Sequence, residues 1–147
     1  MSTCEIPDNQ PPDEAIRAVL RRCRTVAVVG LSPKPARDSH RVAAYLLEHG
    51  YDVIPVNPGQ KEILGRPCFR TLSEIPFPVD LADLFIGPGR VASFVDQAVA
   101  QGIGVIWMQL GIVHEEAARK AREAGCTVIM NRCIMRDHMQ LQPGGGR

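Results

Sequence analysis

A chain of 147 residues has room for one domain around a single buried core and not for two catalytic domains. Hydrophobic residues make up 45% and charged residues 22%, the longest apolar stretches are strand-sized, and Met1 to Asp13 is polar and acidic; a membrane span and a signal peptide are therefore not expected. Lys plus Arg number 17 against 16 Asp plus Glu, so the overall field gives no reason to expect a nucleic acid as partner.

Residues 1–10 lack periodicity and read as a flexible arm, with one domain over 11–139 and a disordered tail over 140–147. After Pro12, the spacing of Ile16, Val19, Leu20 and Cys23 predicts a short amphipathic helix, with Asp13 and Glu14 in its first turn and basic Arg21, Arg22 and Arg24 at its end. Apolar runs over 25–29, 52–56, 81–86, 103–108 and 126–130 predict strands. Several are apolar almost throughout, as in strands covered on both faces. Between them, Val42, Tyr45, Leu46 and His49, then Val91, Phe94, Val95, Ala98 and Val99, then Val113, Ala117, Ala121 and Ala124 mark three helices, each closed by a glycine, Gly50, Gly102 and Gly125. The proline-rich stretch 59–79 predicts only a minor edge strand near Cys68 and Phe69 and a short helix capped by Thr71 or Ser73.

This alternation predicts an α/β domain, Rossmann-like and doubly wound, with a mostly parallel five-stranded sheet and helices on both faces. Cys4, Cys23, Cys68, Cys126 and Cys133 are scattered and form no CxxC pair, so they read as reduced thiols of a cytoplasmic protein, and no metal site is expected.

Ligands of such sheets bind beyond the carboxyl ends of the strands. Gly30 closes the first strand, and the following loop offers Ser32, Lys34, Arg37, Ser39 and His40 to a phosphate at the start of a helix. A solvated basic loop stiffened by its prolines is the plain alternative. The pattern lacks GxGxxG, and the second strand ends in Val56, Asn57 and Pro58 where an NAD site has an acidic residue for the ribose, so another nucleotide is expected. Val56 and Pro58 could pack against adenine and Lys61 could reach a phosphate, although Asn57, Pro58 and Gly59 also suit a simple turn. Gly87 and Pro88 lie in a loop that either lets a ligand approach the backbone closely or is a plain tight turn. Gln109 could bond a ligand amide, and Asn131 and Cys133 follow the last strand and could face the same rim, where Cys133 could equally be an inert buried thiol. No catalytic constellation stands out: His114, Glu115 and Glu116 begin a helix, and Asp80 and Asp83 read as ending or edging a strand.

The segments VAVVGLSPKPARDSHRVAAYLLEHGYDVIPVNP, ILGRPCFRTLSEIP, GVIWMQLGIVHEEAARKAREAG and VIMNRCIMRDH together resemble the small stand-alone CoA-binding proteins. Their domain is similar to the N-terminal CoA-binding domain of the succinyl-CoA synthetase alpha subunit. The resemblance covers about residues 20–139 and implies coenzyme A held across the carboxyl rim. It would set the loop from Gly30 through Leu31 to His40 and the stretch Val56 to Lys61 against the nucleotide, with Pro88, Ser93, Gln109 and Asn131 following the pantetheine arm and Cys133 near its thiol.

Because the larger ligase carries its phosphorylated histidine in a second domain, the resemblance implies a CoA or acyl-CoA binding protein without a complete active site. Two other readings stay open. One is an NAD(P)-dependent oxidoreductase or NAD(P)-binding protein in which Lys34, Arg37 or Lys61 takes the NADP phosphate. The other is a partner subunit whose site is completed by another protein; a homo-oligomer also stays open.

Overall fold

The computed structural model describes residues 10–141. In chain order they form α1 (Asp13–Arg22), β1 (Thr25–Val29), α2 (Asp38–Glu48), β2 (Asp52–Val56), a hairpin of β3 (Glu62–Ile63) and β4 (Arg66–Pro67), and a 3-10 turn (Leu72–Glu74). There follow β5 (Leu81–Leu84), α3 (Pro88–Ala100), β6 (Val105–Met108), α4 (Glu115–Glu123), β7 (Thr127–Ile129) and α5 (Ile134–Leu141). The main sheet has the order β2-β1-β5-β6-β7, and each of its pairings is parallel. The fold is α/β and Rossmann-like, as the alternation of elements predicts.

Successive strand residues point to opposite faces, so each strand feeds two cores. Ala27, Val29, Leu84 and Ile106 join Val91, Val95, Ala117 and Ala121 from α3 and α4. On the other face Val26, Val28, Leu81 and Trp107 join Ile16, Leu20, Leu46 and Ile134 from α1, α2 and α5. Each large apolar side chain sealed in this way stabilises the fold by roughly 1.5–3 kcal/mol. Pro55 is tolerated in β2 because that strand is at the sheet edge: the Pro55 carbonyl faces outward and accepts the Phe69 N–H at 3.0 Å, so the missing N–H removes no bond to β1.

The structure corrects several expected boundaries. β5 stops at Leu84, β6 starts only at Val105, and β7 spans Thr127–Ile129. Ile86, Ile103 and Met130 are nevertheless buried, so their apolar character signals core and not sheet ladder. In the proline-rich stretch, Phe69 makes one parallel bridge to Val56. The 3-10 turn follows Thr71 but has no side-chain cap; Gln97 Oε1 from α3 accepts the Leu72 N–H at 3.0 Å instead.

The largest omission is α5, whose inner face carries Asp137 and His138 as well as Ile134, so its apolar periodicity is masked. His138 is held by the Tyr45 hydroxyl at 2.7 Å. This helix runs to Leu141, past the expected boundary at 139, and Gln10 is docked and not loose, its side chain bonding the Met130 backbone at 2.6 and 3.0 Å. The remainder of the expected arm and tail lies outside the described residues. Among the described residues no helix is long and apolar enough to cross a membrane.

Candidate functional site

From β1 the chain crosses to β2 on one side and then returns to β5 on the other, so the loops after β1 and β5 diverge and open a crevice at that switch point. Gly30 makes the opening. Its φ is +84°, and a Cβ there would stand 2.2 Å from the Phe85 carbonyl oxygen, so only glycine lets the two strand ends lie this close. The loop behind it is folded by its own side chains. Ser39 Oγ accepts the Ser32 N–H at 3.0 Å, Ser32 Oγ accepts the Lys34 N–H at 3.1 Å, and His40 Nδ1 meets the Ser32 carbonyl at 2.9 Å. From β2, Asn57 Nδ2 donates to the Leu31 carbonyl at 2.8 Å while its Oδ1 accepts the Gly59 N–H at 2.7 Å.

This folding delivers the start of α2, which no side chain caps, to a polar cleft lined by Gly30, Ser32, Ala36, Arg37, Asp38, Ser39 and Phe85. Uncapped N–H groups and the positive end of the helix dipole favour an anion there. Asp38 opposes that field, and its pairing with Arg41 partly offsets its charge.

Asp38 and Phe85 also line a second, more apolar cleft with Arg41, Val42, Ile86, Gln109, Leu110, Ile112, Cys133, Met135 and Arg136. The cavities measure about 430 Å³ and about 320 Å³, each at the lower end for a small-molecule site, and they adjoin at Asp38 and Phe85. The wall of the second cleft is tied from behind. Asn131, at a left-handed φ of 58°, accepts the Gly111 N–H through Oδ1 at 2.7 Å. Trp107 Nε1 donates to the Arg132 carbonyl at 2.8 Å, and the Arg132 guanidinium holds both oxygens of buried Asp137 at 2.7 and 2.9 Å.

The floor departs from expectation. Asp80 does edge its strand, its carboxylate accepting the N–H groups of Arg24 and Thr25. Asp83 instead lies inside β5 between Val28 and Trp107, with no exposure to solvent. Gln109 Nε2 donates to its Oδ1 at 2.5 Å. Burial pushes the Asp83 carboxyl up to about 8, against the opposing effect of that hydrogen bond, so it is neutral at pH 7.

A third depression lies toward β2 and α3, where Pro58 and Ser93 stand with Arg70, Thr71, Gly89, Arg90, Phe94 and Gln97, and the Arg90 guanidinium sits 5.5 Å from the centre of the Phe94 ring. The expected residues thus divide. Gly30, Ser32, Arg37 and Ser39 line the polar cleft, Gln109 and Cys133 the apolar one, and Pro58 and Ser93 the third depression. Lys34, Lys61, Gly87 and Pro88 are exposed on the same rim outside these three. Leu31 and Val56 are core residues, 0% and 1% exposed, so the Val56 side chain is turned away from any adenine. His40, Asn57 and Asn131 hold loops in place. Arg41 and Arg136 on helices carry no signal in the sequence that sets them apart, and Asp83 beneath the floor reads there only as ending or edging a strand; all three lie outside the loops that follow strands.

Residues 24–139 match the family described as CoA binding domain. The uncharacterized protein YneT of Bacillus subtilis strain 168 is 38% identical over 130 residues, covering 88% of this chain and 96% of YneT. A hypothetical protein from Pyrococcus horikoshii OT3 superposes with a TM-score of 0.89 at 46% identity, over 92% of this chain and 96% of that one. The alpha subunit of Pyrococcus furiosus acetate–CoA ligase (ADP-forming) II is 30% identical over 135 residues, which are 80% of this chain but only 29% of the subunit. By its match over residues 24–139, on a Rossmann-like sheet with clefts at the switch point, the chain belongs to the CoA-binding domain family.

Proposed function

We propose that this chain is a cytoplasmic CoA or acyl-CoA binding module with no complete active site of its own. The observation that carries this reading is the joining of two unlike clefts through Asp38 and Phe85. The polar cleft ends at an uncapped helix with Arg37 beside it, and the apolar cleft carries the Gln109 carboxamide. Coenzyme A has the same order, with phosphates at one end of a long neutral arm that bears amides. Family membership supports the assignment. Asn57 weakens the dinucleotide alternative: it stands where an NAD site needs an acid, and both ends of its side chain are already bonded within the protein.

A thermal-shift screen over CoA, acyl-CoAs, NAD and NADP tests the reading. Ligand at a hundred times its dissociation constant stabilises the folded state by about 2.7 kcal/mol, so CoA should raise Tm clearly and NADP should not. A rise with NADP and none with CoA overturns the proposal. Similarity to a ligase alpha subunit favours a second reading, in which a protein partner supplies the missing catalytic parts. Purification from the native host should then recover a complex; a single species carrying CoA would count against it.

A further inference from the structure

Asp83 Oδ2 is the one sealed side-chain polar atom without a hydrogen-bond partner among the described residues. A buried orphan of this kind is costly and calls for a reason. Its only side-chain contact of this type is upward, to Gln109, which itself lines the apolar cleft. Gln109 donates Nε2 downward, whereas its carboxamide oxygen accepts no bond among the described residues and is not sealed; that oxygen therefore opens on the cleft. Left to itself a carboxamide can present either its donor or its acceptor to a ligand. Here Nε2 is already taken by Asp83 Oδ1, which leaves the acceptor for the cleft.

We propose that Asp83 is a positioning residue for ligand binding: it locks the Gln109 carboxamide with its oxygen facing the cleft, where it receives an amide N–H of the bound ligand. The inference rests on the reading of this cleft as the seat of the pantetheine arm. The surroundings explain why the lock is a neutral group. Asp83 is flanked in register by Val28 and Trp107, and α1 turns Ile16, Val19 and Leu20 to this face. The charged or titratable groups on the elements covering this face are Cys23 after α1, Asp38, Arg41 and Tyr45 on α2, Tyr51 before β2, and Arg132, Cys133, Arg136, Asp137 and His138 on and before α5. Of these, Arg132 is engaged with Asp137 and Arg41 with Asp38. Burial is the cause of the raised Asp83 pKa, and a ligand closing the cleft would make charging it harder still.

Calorimetric titrations of wild type, Asp83→Asn and Asp83→Leu with CoA and with adenosine 3′,5′-bisphosphate test this. Asp83→Leu removes the acceptor and should weaken CoA binding about three- to tenfold, the value of one hydrogen bond, and leave the bisphosphate unchanged. Asp83→Asn keeps an acceptor and should bind like wild type at neutral pH, while above pH 8 the wild type alone loses affinity. Equal CoA affinity in all three proteins, or equal losses for both ligands, overturns the proposal. If Asp83→Leu does not fold, the pH response of wild type against Asp83→Asn decides. Should wild type bind no CoA, the functional reading fails separately. The side-chain amide signals of Gln109 in the free protein then decide the lock: they should move with the Asp83 titration, and signals indifferent to it refute the coupling.

Discussion

The polar and apolar clefts share Phe85 and yet are made in opposite ways. The polar cleft comes almost wholly from one stretch, Gly30 to Ser39, folded by hydrogen bonds between residues two to eight apart. The apolar cleft is assembled from α2, the end of β5, the loop after β6 and the start of α5, and its walls are fastened across 20 to 26 residues. A local site is shaped by its own residues. An assembled one depends on groups that never touch the ligand, so the first should break from within and the second from behind.

The largest expected effect comes from behind the apolar cleft. The Asp83 carboxyl titrates at about 8 in the folded protein. An unfolded aspartate titrates at about 3.9, so between the two values only the unfolded state has lost its proton, and stability falls as pH rises by up to about 1.4 kcal/mol per unit. The fall ends above the folded value. Denaturant midpoints should therefore drop faster with pH in wild type than in Asp83→Asn; parallel slopes would show that Asp83 is not buried as a neutral acid. At the polar cleft, Gly30→Ala should cost about 3 kcal/mol in urea unfolding, since it adds a clash with the Phe85 carbonyl to an unfavourable φ. A loss under about 1 kcal/mol would mean that the strand ends can move apart.

Smaller losses sharpen the contrast. Asp137→Ala leaves the half-buried Arg132 guanidinium without its main partner and should destabilise by about 2 kcal/mol, and calorimetry should also find weaker CoA binding although Asp137 lines none of the three clefts described. Ser39→Ala deletes one bond to the Ser32 N–H and should cost about 1 kcal/mol, with its effect on binding confined to the phosphate end. If Asp137→Ala leaves CoA affinity untouched while Ser39→Ala alters the apolar cleft, the distinction between the two constructions fails.

The same distinction explains what could be read from the chain. The run from Thr25 to Pro58 displays its strand, loop, helix and strand because each is encoded locally, by an apolar run, a closing glycine, helical spacing and a second apolar run. Five parallel strands and the candidate loops at their ends follow from that alternation. Order across the sheet does not, and so the meeting of Phe85, Gln109 and Cys133 in one cleft was not legible. Asp83 was misread because a charged residue in a short strand resembles an edge position; only the register with Val28 and Trp107 puts it inside. Helix α5 was hidden by Asp137 and His138, polar residues buried through their partners, Arg132 five residues earlier and Tyr45 on α2.

The central claim is that both clefts serve one ligand, and a calorimetric titration with coenzyme A tests it most directly. Wild type should bind one CoA per chain, and Lys34→Ala with Arg37→Ala should weaken it about tenfold or more, the scale of charge-assisted contacts to phosphate. No heat of binding at millimolar CoA, or an affinity indifferent to both substitutions, would contradict the account.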